Sequence, residues 1–272
     1  MIPRLRVPSL SLCCTSNSGR MRIASLGSGS KGNATLVQYR NTTLLIDNGF
    51  SLRKFSERLE RFDIDPDAID ALLLTHEHGD HSAGVQRLCA AYSIPLWTAV
   101  GTARAVLSPE FEYRRLVAGQ TVTIGDIDVL PVTVPHDANE PLQFVFRQSD
   151  NGKRLGILTD TGHITRHIVD AFSRLDGLLL EFNYDAEMLA NGPYPQHLKQ
   201  RVGGDHGHLS NEQSLELLRR VDTTSLNCLI AAHISQKNNT ANIVDRLISQ
   251  LGDVPVPVLA DQEAGFDWIS ID

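Results

Sequence analysis

Residues 75–84 read THEHGDHSAG and follow directly on AIDALLL, an apolar run with the length and bounds of a buried strand. His76, His78 and His81 fall there within a few positions of Glu77 and Asp80. A lone histidine is ordinarily a satisfied core or surface residue. His76, His78, Asp80 and His81 crowded at one strand end have no such structural account, since unused clustered imidazoles stabilise nothing.

The same placement recurs along the chain. His136 follows VLPVTVP, Asp160 follows RLGILT, Glu181 ends LDGLLLE, and His233 follows NCLIAA. Hydrophobic strands that each end in a ligand or acid/base group assemble a site on a rigid edge. Imidazole and carboxylate without thiolate suit Zn or Mn, with Fe also compatible, and not a structural cysteine-type zinc site. One ion would leave several of these groups unused, whereas two ions sharing a bridging carboxylate use them all.

The 272 residues are 42% hydrophobic and 21% charged, with length enough for a sizeable core. No apolar run is long enough for a transmembrane helix, so no membrane partner is expected. The net charge of −7 excludes a protein coated in basic residues, although ions bound at a carboxylate-lined site would reverse its local sign. Cys13 and Cys14 are adjacent, Cys89 and Cys228 sit in apolar segments, and no CxxC occurs; a reducing cytoplasm is the simplest setting. Residues 1–20 carry several Arg and Ser, no acid and no clean apolar core. They are expected to be a disordered or mis-assigned extension, with a single domain spanning residues 21–272.

From Met21 the pattern is strand-rich (RIASL, ATLVQY, TLLIDN), then an amphipathic helix SLRKFSERLERF, then the strand that leads into residues 75–84. The second half alternates helix and strand: ITRHIVDAF, LDGLLLEFN, SNEQSLELLRRV, SLNCLIAAH, ANIVDRLISQL. Strands followed by alternating elements predict an α/β (α+β) architecture, two sheets packed face to face with helices outside.

THEHGDH, PHDA, TDTG and AHIS, in this order, resemble the HxHxDH series of the metallo-β-lactamase fold, an αββα sandwich of two mixed sheets. The resemblance implies His76, His78 and His136 on a first divalent ion, Asp80, His81 and His233 on a second, and Asp160 bridging. Glu77 and Gly79 then act as spacers that let alternate side chains face inward. SLGSGSKGN, LLLEFNYD, NGPYPQHLKQRV, GHLSN and AHISQKNN narrow the resemblance to the YycJ/WalJ-like branch, whose members are reported as DNA exonucleases with a suggested link to repair. Nucleic acid, and DNA in particular, is thus the implied partner.

Phosphodiester chemistry has further candidates. GHLSNEQS places His208 just before a helix whose Ser210 and Gln213 have capping-box spacing, a natural anion site. Glu181 is a candidate partner for His208, and the two resemble the Glu/His proton-donor pair of the related tRNA 3′-processing nucleases. Asp80 becomes a candidate base if only one ion binds. Ser30, Lys31 and Asn33 lie in a Gly/Ser turn suited to phosphate. Tyr194, Lys199 and Arg201, read as part of a loop, combine an aromatic with cations as single-strand binders do. Asp137 is a candidate partner for a ligand histidine. Two competing readings remain: a thioesterase or lactonase, and a non-catalytic regulatory protein that retains the fold.

Overall fold

The structure is a computed structural model that describes residues 19–150 and 152–272; the extension expected over residues 1–20 lies almost wholly outside the described residues. One seven-stranded sheet is built from Met21–Gly27 (β1), Ala34–Tyr39 (β2), Thr42–Ile46 (β3), Ala71–Leu73 (β4), Leu96–Thr98 (β5), Arg114–Arg115 (β6) and, from the far end of the chain, Phe266–Ile271 (β14). The other comprises Val122–Ile124 (β7), Ile127–Thr133 (β8), Leu142–Gln148 (β9), Arg154–Leu158 (β10), Gly177–Glu181 (β11), Cys228–Ala232 (β12) and Val258–Leu259 (β13).

Alternation of side chains across each strand explains why these runs read as continuously apolar. In β9, Phe144 and Phe146 enter the core between the sheets, where they join Ile23, Leu44 and Ile230, while Val145 faces the outer layer. In β11, Leu179 faces the inner core and Leu178 and Leu180 face the helices Asn211–Arg220 and Ala241–Ile248. The first sheet is covered on its outer face by Leu52–Leu59 and Val85–Tyr92, through Phe55, Leu59, Val85 and Leu88. Each such fully buried side chain stabilises by about 1.5–3 kcal/mol. The result is the expected sandwich: two mixed sheets face to face with helices outside.

Strand direction makes the site. In the second sheet β9 is antiparallel to both β8 and β10, while β11 and β12 are parallel to β10. So β8, β10, β11 and β12 all run the same way, and their carboxyl ends share one edge. In the first sheet β3 and β4 are parallel, and their carboxyl ends lead into Asp47 and His76. Ligand sites form at such carboxyl ends.

One element departs from the sequence reading. NGPYPQHLKQRV is not a loop throughout, because Gln196–Val202 is a helix with Pro195 at its cap. Good helix formers between a proline and Gly203–Gly204 carried that signal. Val100–Val106 is also helical, although Gly101, Thr102 and valine are poor formers; a tertiary contact supports it, the Glu140 carboxylate accepting from the Gly101 amide at 2.7 Å.

Candidate metal centre

Three bare nitrogens face one point in the first cluster. His78 Nδ1 lies 3.1 Å from His76 Nε2 and 3.2 Å from His136 Nε2. Each ring is oriented from behind. His136 Nδ1 lies 3.0 Å from the Gly207 carbonyl, which can only accept, so the proton sits on Nδ1 and Nε2 is left bare. Gly207 is required there, since a Cβ would stand 2.2 Å from the carbonyl oxygens of Arg201 and Val202. Four ligands at about 2.0–2.1 Å from zinc stand about 3.3 Å apart, so these spacings fit a metal and not three mutually repelling lone pairs.

The second cluster gathers Asp80, His81 and His233, and Asp160 lies against it. His81 Nε2 is 3.5 Å from Asp80 Oδ2 and 3.4 Å from Asp160 Oδ2, and His233 Nε2 is 3.9 Å from Asp80 Oδ2. Asp160 also groups with His76, so it touches both clusters. Among the described residues, the buried Asp160 Oδ2 and His233 Nε2 have no hydrogen-bond partner. Buried polar atoms left so are costly unless something coordinates them, and a cation between the clusters would satisfy both.

Asp47, not singled out in the sequence, is tied to both groups. Its Oδ2 lies 2.7 Å from His81 Nδ1 and accepts from Thr75 Oγ1 at 2.8 Å; Thr75 Oγ1 is in turn 2.9 Å from His76 Nδ1. Carboxylates behind ligand histidines set tautomer and basicity. The missed signal was its position, directly after the apolar strand β3, like the other strand-end groups. Asp47, Asp160 and His233 share left-handed backbones, φ 60°, 51° and 55°, which turn the chain sharply at three strand ends.

Glu181 is buried and acts from behind the second cluster. Its Oε1 lies 2.8 Å from both His233 Nδ1 and His208 Nδ1, and its Oε2 accepts from the Leu209 amide at 3.1 Å. Ser210 and Gln213 form the predicted capping box, which places His208 at the start of that helix.

A cavity of about 360 Å³ opens over the clusters, lined by Ser30, Tyr194 and Arg201 together with His78, Asp80 and His208. The structure does not bring the other three expected substrate contacts to that wall. Lys31 Nζ pairs with Glu263 at 3.2 Å, and Lys199 Nζ donates to the Ala190 carbonyl at 2.6 Å. Asn33 is buried, with its amide 3.3 Å from Asp80 Oδ2 and 3.0 Å from His81 Nε2, so it holds these candidate ligands in place. Asp137 bridges Arg201, at 2.6 Å, to His78 Nε2, at 3.5 Å. Glu77 turns away and accepts from the Asn139 amide at 2.7 Å.

Residues 42–234 match the Beta-lactamase superfamily domain. The chain belongs to that superfamily. The exodeoxyribonuclease WalJ of Streptococcus pneumoniae is 33% identical over 244 residues, spanning 87% of this chain and 90% of that protein. The exodeoxyribonuclease YycJ of Bacillus anthracis is 30% identical over 231 residues, spanning 83% and 87%. Among solved structures, the metallo-beta-lactamase fold protein YhfI of Bacillus subtilis superposes with a TM-score of 0.71 at 14% identity, over 92% of this chain and 99% of that one.

In this superfamily member the electrostatics separate the clusters. Burial, then the neighbouring His81, pushes the pKa of His76 well down, and burial lowers His136, so both stay neutral and ready to ligate. Burial would lower His81 too, but Asp160, Asp80 and Asp47 outweigh it and raise its pKa to about 9. The carboxylates around His233 likewise lift it well above its usual value against burial. Without metal, protons on these rings balance the carboxylates.

Because the folded pKa of His81 exceeds the ordinary 6.5, its contribution is full below about 6.5 and is lost as pH rises through about 9. Chelator-treated protein is therefore expected to lose thermal stability between pH 7 and 9. Added divalent metal should remove that loss while releasing protons, measurable by melting curves and by proton release in unbuffered titration. A flat stability profile without metal would contradict this balance.

Proposed function

We propose that the chain is a dinuclear-metal-dependent phosphodiesterase, a DNA exonuclease. The observation that carries this reading is Asp160, shared between a three-histidine cluster and an Asp/His cluster and left with an unpartnered buried oxygen. The names and extents of the WalJ and YycJ relatives support the substrate. His76, His78 and His136 would hold one ion and Asp80, His81 and His233 the other, with Asp160 between them. The nitrogen and oxygen donors accommodate Zn or Mn, and Fe is compatible. Such ions supply Lewis acidity for an in-line phosphodiester displacement and lower the pKa of the attacking water.

The chain's own residues do the rest. Glu181 holds the proton of His208 on Nδ1 and turns Nε2 to the cavity, where a protonated ring can donate to the leaving oxygen. Arg201, fixed by Asp137, supplies positive charge beside the clusters for a phosphate. Ser30 lines the same cavity. No helix among the described residues is long and apolar enough to cross a membrane, and the free thiols of Cys89 and Cys228 suit a reducing compartment such as the cytoplasm.

The test uses metal-replete protein on DNA and RNA, single- and double-stranded, labelled at either end, beside Asp80→Ala. Mononucleotides should be released from DNA ends, chelator should stop the release, and Asp80→Ala should slow it by at least about 10²-fold. Release should weaken steeply with salt, as phosphate binding requires. Failure to cut any of these substrates with any of the metals sinks the nuclease reading, and cutting of closed circular DNA sinks the exonuclease part of it.

A further inference from the structure

We infer that the outer part of the cavity is a base-binding subsite that seats the terminal nucleoside of the strand being cut. The inference rests on the exonuclease reading and deepens it by naming what the site selects.

One wall comes from the helix Gln196–Val202 and the residue before its cap. Leu198, Arg201 and Val202, at the i, i+3, i+4 spacing of one helical face, line the cavity, and Tyr194, just before the Pro195 cap, lines it beside them. The turn after β12 also lines the cavity, with Ile234 and Asn238. Leu198, Val202 and Ile234 are apolar, and neither a metal nor a phosphate has any use for them. An apolar slot with an aromatic lip fits a flat heteroaromatic ring, which stacks on any π-face.

Two further residues border the same slot. Asn238 is 1% exposed and its Oδ1 is buried with no hydrogen-bond partner among the described residues, while its Nδ2 lies 3.5 Å from Ser235 Oγ. That oxygen is closed off beside Gly192, so Asn238 shapes this side of the slot and would accept from a base only after its side chain turned. At the lip, Lys237 Nζ stands 5.5 Å from the Tyr194 ring centroid, a cation for the next phosphate of the strand.

The order along the wall matches a nucleotide. Arg201, beside Asp137 and His78, takes the phosphate end near the helix C-terminus, and Tyr194 lies beyond the helix's N-terminal cap. A base inside a duplex would have to unstack to enter this slot, whereas a terminal one pays little. Selection of strand ends then follows from the wall and not from the metal chemistry.

The experiment compares ligands with and without a base. Metal-loaded protein is titrated calorimetrically with 2′-deoxyadenosine 5′-monophosphate, its 3′ isomer and 2-deoxyribose 5-phosphate. Alongside, end-labelled DNA is offered with either a natural or an abasic terminal residue. At least one base-bearing monophosphate should bind about tenfold tighter than the sugar phosphate, and natural ends should be cut faster than abasic ends by a similar factor.

Tyr194→Ala and the slot-filling Leu198→Trp should each reduce that preference to within about twofold at unchanged metal content, and Tyr194→Phe should restore it. Equal binding of base-bearing and base-free phosphates by the unaltered protein, or a preference that survives both variants, overturns the subsite. Base-dependent binding without any DNA cleavage overturns the exonuclease reading and leaves the subsite standing. Cleavage indifferent to the terminal base does the reverse.

Discussion

Asp160→Asn is expected to cut turnover by on the order of 10³-fold or more and to strip metal from at least one cluster. The carboxylate stands where both groups of ligands meet, with Oδ2 3.4 Å from His81 Nε2 and Oδ1 3.5 Å from His233 Nδ1. Burial opposes its ionisation, yet His233, His81 and His76 hold its pKa well below the usual carboxylate range. An amide has the same shape but no charge, so it removes what couples the two centres while keeping the packing. Metal content by mass spectrometry and release of labelled nucleotide are the two readouts. Retention of full metal content and full turnover would remove Asp160 from the reaction.

Glu181→Gln should be nearly as damaging without touching a reacting atom. Glu181 Oε1 accepts from both His233 Nδ1 and His208 Nδ1 while Oε2 accepts from the Leu209 and Thr161 amides, so a carboxamide must turn its NH₂ either against both rings or against two backbone N–H donors. In the first orientation both imidazoles must change tautomer, which would cost His233 its aim at a metal and His208 its aim at the leaving group. In the second the NH₂ clashes with the Leu209 and Thr161 donors and the lost charge weakens both ring contacts. A misplaced tautomer behind a catalytic histidine costs on the order of 10³–10⁴ in kcat, and a lost partner behind a ligand costs about 10–100-fold in metal affinity. Proton donation and metal affinity should therefore fall together.

The pH dependence of Glu181 carries its own sign. Burial works to raise its pKa, but His208 and the hydrogen bonds from His208 and His233 hold it at about 2, below the ordinary 4.5. A depressed carboxylate contributes stability above its unfolded value and loses it as pH falls toward the folded one, here between about 4.5 and 2. The unaltered protein should unfold in that acid window, and Glu181→Gln should show a shallower acid transition. An unchanged acid midpoint together with intact metal affinity would mean that the carboxylate is dispensable.

Much of the site was legible in the sequence because the chemistry sits at strand ends. An apolar strand that stops in His or Asp announces its own position, and the HxHxDH spacing places several ligands in one turn. The architecture was legible for a related reason: strands buried on both faces read as continuous apolar runs, and helices between them carry a 3.6-residue stripe. The short helix Gln196–Val202 was missed as a helix because Pro195 and the two following glycines punctuate it like a loop. Its residues were noticed for charge and aromaticity, and only the fold aligned Tyr194, Leu198 and Arg201 on one wall.

Lys31 and Lys199 show the opposite limit. In sequence each is a cation beside a phosphate-like motif, but a lysine chain is long enough to reach several acceptors, and in the fold Glu263 and the Ala190 carbonyl are the ones within reach. Asn33 sits near its expected place yet faces inward, because Gly29 occupies its carbonyl at 2.7 Å and turns its amide toward Asp80 and His81.

By itself, then, the sequence determined the sandwich and which strand-end residues are the candidate ligands, since both rest on local periodicity and on residue type at strand ends. The tertiary structure alone decided what stands behind each ligand. Asp47 behind His81, Thr75 behind His76, Gly207 behind His136 and Glu181 behind both His208 and His233 are pairings that only the parallel strand ends and the packed loops bring about. The physical reason is range: a periodic pattern is written in neighbouring residues, while a hydrogen bond across a site joins positions whose separation in the chain carries no signal of their contact.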